Sequence, residues 1–557
     1  MKVIIVGGVA GGATAAARIR RLDEHAEIIV FERTGYISYA NCGLPYYIGD
    51  VITDPDELKL QTPESFFSRF RIDVRILSDV ISIDPDKKEV AVRDLKNNTE
   101  YTESYDKLLL APGAKPSLPA LPGIGINGLF TLRTVEDTFK IKDYINKHRP
   151  RSAVLAGGGF ISIELAENLR GLGIDVTIVQ RPKQLLNPFD PDIASFVHAQ
   201  MRRHGVGLRL GYTVEGFEEN AGGGINVLLK DNEPLKADMV ILAIGVTPDT
   251  GLAADAGLEL GIKGSIAVND HMETSIPDIY AVGDAVQVKH FVTGLNTLIS
   301  LAGPANREAR IAADNICGGD SRYQGSLGSS VVHIFELTAA STGINESTAS
   351  KAGIKFDSVI LSPLNHASYY PGGTAMTMKV IFEKETYRLL GAQIIGRDGV
   401  DKRIDVIAAA IHAGMKADEL KDLDLAYAPP YSSAKDPVNM AGFMIDNIKH
   451  GILKQFRLDE LMSLPRDKSV TLLDVRTKEE FDRSGHIDGF INIPVDELRE
   501  HADELDPSKP VYLICQSGLR SYIALRILNG LGFDCYNFAG GYGFYSSVEN
   551  DRRMISE

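Results

Sequence analysis

The chain contains no tryptophan and only four cysteines, Cys42, Cys317, Cys515 and Cys535. No two of them form a C-x-x-C pair, which argues against a zinc ribbon or a thioredoxin-type dithiol, and no metal site is expected. In a reducing compartment each stays a thiol, available for chemistry or for inert packing. Long apolar runs are also missing. The longest nearly uncharged N-terminal stretch, residues 3–17, is too short for a membrane span and is broken by glycines. It lacks the basic start and the small-residue cleavage site of a secretory signal, so a cytoplasmic protein is expected, with no membrane partner. Positive charge is in deficit: the formal net charge is −15, which argues against a general nucleic-acid partner.

What is present is ordinary globular material, 44% hydrophobic and 24% charged. At roughly 100–200 residues per domain, 557 residues suggest three or four domains. The first forty residues read as a βαβ unit. A strand over 3–6 runs into Gly7-Gly8-Val-Ala-Gly11-Gly12, a helix spans 13–22, and a second strand over 28–31 ends in Glu32 and Arg33. Glycines there let backbone N–H groups approach a pyrophosphate, and an acid at the end of the second strand can accept from a ribose. The pattern recurs with a strand over 153–156, the turn Gly157-Gly-Gly159, a helix over 161–172 carrying Glu164, and a strand over 176–179. Two such turns imply two dinucleotides. The second departs from the ideal: Ser162 replaces its third glycine, and Gln180 followed by Arg181 stands where an acid is expected.

Two more segments fit a flavin domain: residues 108–113, a strand entering a turn at Gly113, and residues 279–285, a strand ending in Asp284. Together with Ala243-Ile-Gly245 and Pro248, these residues resemble the two-dinucleotide flavoprotein disulfide reductase superfamily. The resemblance implies FAD held by Gly7, Gly8, Gly11, Gly12, Glu32, Arg33, Gly113, Asp284 and Ala302. It implies NADPH or NADH held by Gly157, Gly159, Glu164, Gln180, Arg181 and Gly245.

The segment Ser38-Tyr-Ala-Asn41-Cys42-Gly-Leu-Pro-Tyr46 follows the first unit. Most members of that superfamily carry a second cysteine five residues further on, where this chain has Tyr47. A lone thiol must pair with a substrate or oxidise to sulfenic acid. The segment closely resembles coenzyme A-disulfide reductases, in which the cysteine cycles through a mixed disulfide with CoA. By that resemblance Arg18, Arg21, Ser38, Asn41, Asn306 and Arg310 contact CoA. Tyr369 and Tyr427, with Tyr370 and Tyr431 as neighbouring alternatives, would reach Cys42 of the partner subunit in a homodimer and protonate the leaving thiolate. Cys317 and Cys535 read as structural.

The last hundred residues have their own rhythm of strand, helix and turn. A strand ends in Asp474-Val-Arg476. Another delivers Cys515 to the loop Gln516-Ser517-Gly518-Leu519-Arg520-Ser521, leading into a helix starting near Ser521. Backbone N–H groups in such a loop can surround a thiolate or persulfide, and the helix N-terminus favours the anion. This set resembles a single-domain rhodanese; a dual-specificity phosphatase of the related fold has one more residue between Cys and Arg.

The expected fold is α/β, with an FAD-binding domain over 1–115 and 250–322, a nicotinamide domain over 116–249, an α+β dimerisation domain over 323–452 and a rhodanese domain over 456–557. The expected activity is NAD(P)H-dependent reduction of CoA disulfide, CoA persulfide or polysulfide. An oxidase or peroxidase using a sulfenic acid, and a sulfur-relay or redox-sensing protein, stay open at this level.

A carboxylate at position 180 would repel a 2′-phosphate; Gln180 does not, and Arg181 can pair with one. NADPH is therefore expected to serve at least as well as NADH. Gln180→Glu with Arg181→Ala should shift preference toward NADH by about ten- to a hundredfold, the worth of one charge-assisted bond. Steady-state kinetics with both nucleotides measure it.

Overall fold

The computed structural model describes residues 1–556. Two compact units are present: Met1–Pro182 with Gly205–Gly328, and Lys183–His204 with the chain from Ser329 onward.

The first unit holds two five-stranded sheets. One orders its strands Ile279–Ala281, Lys107–Leu110, Lys2–Val6, Glu27–Glu32 and Asp73–Ile76, all parallel. The other runs Gly207–Leu210, Asp175–Gln180, Ser152–Ala156, Met239–Leu242 and Leu129–Thr131, again all parallel. Parallel strands are covered on both faces, so they are apolar throughout rather than alternating. Accordingly Ile4, Ile5, Leu108, Leu109, Val240 and Ile241 are fully buried. The helices Ala10–Leu22 and Ala302–Ile316 pack against each other. Across the pair the Thr14 hydroxyl donates to Asn306 and the Arg18 guanidinium to Asp314, while Ala15, Ala16, Ala309, Ala312 and Ala313 are buried in the same core.

The second unit contains a five-stranded antiparallel sheet ordered Ser330–Ile334, Leu337–Gly343, Leu389–Gly396, Thr377–Glu383 and Phe356–Leu361. A parallel sheet follows, with order Gln455–Phe456, Cys535–Phe538, Val511–Ile514, Thr471–Asp474 and Ile491–Asn492. The helix Pro191–Arg203 lies inside the 116–249 stretch, yet it groups with this unit. The C-terminal helix Gly541–Ser556 packs on it. His198 explains part of that pairing. Its Nε2 accepts the Leu185 N–H at 3.0 Å, and its Nδ1 lies 2.7 Å from the Asp551 carboxylate. Arg202 donates to the other Asp551 oxygen at 2.6 Å.

Lys379, 1% exposed, is the charged centre of the antiparallel sheet. Its Nζ lies 2.8 Å from Asp192, 3.0 Å from Asp190 and 3.1 Å from Glu346. Burial opposes its charge, but these carboxylates outweigh that and hold the ammonium above the usual lysine range. Asp190 is pushed up by its own burial despite the lysine. Among the described residues no helix is long and apolar enough to cross a membrane.

Removing one partner from a buried ion cluster leaves uncompensated charge and costs about 3–5 kcal/mol. Lys379→Met should therefore destabilise the second unit by that amount, measured by urea unfolding. Flavin content should stay at the wild-type level.

Candidate redox site and sulfur-transfer loop

The strand Lys2–Val6 ends at Gly7, whose φ is +97°. A Cβ on Gly7 would lie 2.2 Å from the Ala111 carbonyl oxygen, and one on Gly12 only 1.8 Å from that of Gly7. The helix begins at Ala10, earlier than expected, and takes Gly11 and Gly12 into its first turn. Gly12 is required there because it lies against the Gly7 backbone, and Gly11 because a Cβ would come within 2.9 Å of the Val282 side chain. No side chain caps this helix, which leaves its N–H groups for a phosphate. Glu32 is buried; it accepts the Gly8 N–H at 2.9 Å and the Thr34 N–H and hydroxyl at 2.9 and 2.8 Å. Its carboxylate is thereby aimed, with lone pairs to spare for a ribose.

The second turn repeats the design. Gly157 has φ +116°, and a Cβ there would lie 2.2 Å from the Ala243 oxygen. Gly159 opens onto free space, and the helix Phe160–Gly171 has no side-chain cap. Gly113 and Gly245 also hold positive φ, at +69° and +122°. The Ser162 hydroxyl is buried without a hydrogen-bond partner. Gln180 is half-buried and Arg181 exposed. Both turns fit a dinucleotide: the backbone is bare, the helix termini are uncapped and Glu32 is aimed.

Cys42 lies in the short turn Asn41–Gly43 and is exposed as a residue. Desolvation nevertheless raises its thiol, and the Glu164 and Asp284 carboxylates raise it further against Arg133. One thiol thus feels an acid from each dinucleotide half. Glu164 is itself pushed up to about 7, by burial first and then by Glu167, with a hydrogen bond from Tyr46 opposing. Asp284 pairs with Arg133 at 2.7 Å. Beside it the Gly283 N–H donates to Glu308 at 2.8 Å, and burial pushes Glu308 up to about 7. Tyr47, where a second cysteine would stand, packs its ring edge-on against Phe139 at 5.7 Å.

Of the remaining candidates in this unit, Arg33 pairs with Asp249 at 2.7 Å. Arg18 is committed to Asp314 at 2.7 Å, while Arg21 and Arg310 are exposed. Asn306 accepts from the Thr14 hydroxyl at 2.5 Å and donates to the carbonyl of Ala302, the first residue of its helix, at 2.8 Å. Ser38 has φ +42° and donates its N–H to the Gly8 carbonyl. Asn41 is half-buried in the same turn as Cys42. Cys317 is half-buried, its thiol raised by burial and then by Asp23 and Asp314.

In the second unit the hydroxyls of Tyr369 and Tyr427 meet at 2.5 Å, although 58 residues separate them. Both rings are exposed, and the hydrogen bond to Tyr369 raises Tyr427. Tyr370 instead packs edge-on against His366 at 5.7 Å, and Tyr431 is exposed.

Cys515 is fully buried at the end of the strand Val511–Ile514. Its Sγ accepts the Gly518 N–H at 3.1 Å and the Ser521 hydroxyl at 3.2 Å. The following helix starts at Leu519, two residues before the expected Ser521, with Gly518 at φ +95° ahead of it. From behind, the Tyr542 and Gly543 N–H groups hold the Cys515 and Gln516 carbonyls at 2.8 and 3.1 Å, and Ser517 completes the loop. Asp474 and Arg476 form a buried pair at 2.7 Å, with the guanidinium 3.8 Å from the Tyr542 ring centroid. Arg520 is gripped by both oxygens of Glu480, at 2.6 and 2.7 Å. Arg520 first, and the Thr477 backbone next, hold Glu480 down at about 2 although burial opposes them. Cys535 is buried in its strand, and burial pushes its thiol up to about 12.

Sequence reasoning missed Tyr46, Arg133, Glu308, Glu480 and the Tyr542–Gly543 amides. Only Glu480 carried a usable signal, since Thr477-Lys-Glu-Glu480 has the spacing of a capping box, and both of its bonds form.

Sheet order, paired turns and the tail define a flavoprotein disulfide reductase fold joined to a dimerisation domain and a rhodanese domain. Residues 1–309 match the pyridine nucleotide-disulphide oxidoreductase model, 329–437 its dimerisation-domain model and 457–546 the rhodanese-like domain model. A coenzyme A disulfide reductase of Staphylococcus aureus is 36% identical over 443 residues, 79% of this chain and 99% of that protein. The crystal structure of reduced Bacillus anthracis CoADR-RHD superposes with a TM-score of 0.95 at 47% identity, covering 99% of this chain and 98% of that one. An NAD-dependent persulfide reductase from A. fulgidus gives 0.91 at 35% identity, covering 98% and 100%. The chain belongs to the pyridine nucleotide-disulphide oxidoreductase family, whose members depend on FAD and NAD(P)H.

A methyl at Gly12 cannot be accommodated without moving the turn. Gly12→Ala should therefore purify with little or no bound flavin, read from visible absorbance per chain. The far-ultraviolet circular dichroism should stay close to wild type.

Proposed function

We propose that the protein reduces CoA disulfide, CoA persulfide or polysulfide with NAD(P)H through Cys42, while the tail handles persulfide sulfur. The observation that carries this is the placement of Cys42, a lone thiol acted on by Glu164 of the nicotinamide-side helix and Asp284 of the flavin-side motif. On this reading residues 1–115 and 250–322 bind FAD, 116–249 the nicotinamide, 323–452 form the dimerisation domain and 456–557 the rhodanese domain. Bound FAD supplies the relay of two electrons from the nicotinamide to the thiol.

The chain's own part is binding, alignment and proton handling. The bare turns at Gly7–Gly12 and Gly157–Gly159 hold pyrophosphates, and Glu32 a ribose. Arg181, next to Gln180, is the group that would meet a 2′-phosphate. Cys42 as thiolate attacks one substrate sulfur, expels a thiolate and keeps the other half as a mixed disulfide. Return of two electrons frees the second thiol. The Tyr369–Tyr427 pair would reach Cys42 of the partner subunit in a homodimer and protonate the departing thiolate. Ser38, Asn41, Arg18, Arg21, Asn306 and Arg310 are the proposed CoA contacts, and Arg18 would have to share its charge with Asp314. A cytoplasmic location is part of the same reading, since both working thiols must stay reduced.

Cys42→Ser should abolish reduction of CoA disulfide and CoA persulfide while flavin stays bound; appreciable turnover in that variant would overturn the single-thiol route. Cys515→Ser should leave CoA disulfide reduction within about twofold and remove sulfur transfer to cyanide, because the two thiols act in separate steps. Nicotinamide oxidation with CoA disulfide, CoA persulfide, polysulfide, peroxide and oxygen compared side by side tests the substrate class. Peroxide or oxygen as the best acceptor would favour a sulfenic-acid oxidase instead.

A further inference from the structure

The loop around Cys515 is poor in positive charge. Gln516, Ser517, Gly518 and Leu519 are uncharged, and Arg520 is its one cation. That cation is already spoken for: two parallel bonds, at 2.6 and 2.7 Å, tie it to Glu480. Such a fork-to-fork pair cancels the charge and fixes the direction of the guanidinium. Glu480 is itself anchored, because its Oε2 also accepts the Thr477 N–H at 2.9 Å and the Thr477 hydroxyl at 3.0 Å. Around the loop the helix Leu519–Gly530 presents Leu519, 65% exposed, and Ile523, 42% exposed, one helical turn apart on one face.

We propose that Glu480 sets the sulfur donor of this loop: by holding Arg520 it leaves the mouth without net positive charge, so that Cys515 takes sulfur from an alkyl persulfide with an uncharged arm rather than from the thiosulfate dianion. This rests on the tail being a sulfur-transfer site, as proposed above. A dianion must shed its hydration to reach a buried sulfur, and a single amide, a hydroxyl and a helix terminus offset less of that loss for two charges than an opposed cation would. An alkyl persulfide brings at most one charge, located on the sulfur that is transferred. The Gly518 N–H, the Ser521 hydroxyl and the helix N-terminus already face that position. Its carbon arm can lie along Leu519 and Ile523.

The chemistry balances without any further oxidant. The Cys515 thiolate attacks the outer sulfur of R–S–SH: a bond forms between Sγ and that sulfur, the S–S bond of the donor breaks, and R–S⁻ leaves with its electron pair and takes the persulfide proton to become R–SH, so Cys515 holds a persulfide anion. Cyanide then attacks the outer sulfur, thiocyanate leaves and the Cys515 thiolate is restored. Glu480 touches neither donor nor acceptor in this sequence; it is a positioning residue for Arg520.

The test uses the full-length holoenzyme, with pantetheine persulfide and thiosulfate as donors and cyanide as acceptor. The wild type should show a lower kcat/KM with thiosulfate than with pantetheine persulfide. Glu480→Gln keeps the shape and the capping geometry but frees the Arg520 charge. It should raise the thiosulfate-to-persulfide ratio of kcat/KM by about ten- to a hundredfold, the worth of one charge-assisted contact. The gain should appear in KM and shrink with added salt, which a merely structural change would not produce. Leu519→Lys adds a cation without touching Glu480 and should move the ratio the same way, so a poorly folding Glu480 variant does not end the test. Thiosulfate equal to or better than pantetheine persulfide in the wild type, or an unchanged ratio in both variants, would overturn the proposal. Transfer from neither donor, or transfer that persists in Cys515→Ser, would bring down the sulfur-transfer reading itself.

Discussion

Two contacts of backbone on backbone organise the first unit. Gly7 lies against the Ala111 carbonyl and Gly157 against that of Ala243, each too close for any side chain. Each contact draws the loop after a neighbouring strand onto the strand–helix turn, at the carboxyl edge of a parallel sheet. That edge is where bare helix N-termini and strand ends converge in doubly wound folds. Glu32, Gly113, Asp284 and Gly245 all lie on loops or strand ends whose position follows from these approaches. Cys42 follows from them too, because Ser38 is hung from the Gly8 carbonyl of the same turn.

The two candidate thiols live in opposite surroundings. Cys42 is raised by desolvation and by two carboxylates, with Arg133 opposing them. Cys515 is wholly buried, yet a backbone amide and a hydroxyl point at its sulfur, and two further amides lock the loop from behind. That loop is preorganised by the fold alone.

Buried charge elsewhere follows one rule, that each ion is met in the fold. Lys379 has three carboxylates, Arg476 has Asp474 and the Tyr542 ring, and Asp551 has His198 and Arg202. The cluster at Lys379 and the pairs at Asp551 both include residues of the segment Lys183–His204, joining it to the rest of the second unit. The apolar face of Pro191–Arg203, with Ile193, Ala194, Val197 and Met201 fully buried, does the remainder.

Both βαβ units, the lone thiol at position 42 and the Cys515-to-Arg520 spacing were determined by the sequence by itself. Each is local: glycines at fixed offsets, a period switching between strand and helix, and one missing cysteine suffice to read it. Helix starts were legible only to within a few residues, since Gly11, Gly12 and Leu519 enter helices against their turn-like appearance. Tertiary structure alone decided the pairs. Tyr369 meets Tyr427 across 58 residues, Arg520 meets Glu480 across 40, and Arg18 is claimed by Asp314 across 296. It also decided that Pro191–Arg203 belongs with the second unit. No periodicity encodes such pairings, because which exposed cation finds which acid depends on how separate elements pack, and that is settled by burial summed over the whole core rather than by any local run of residues.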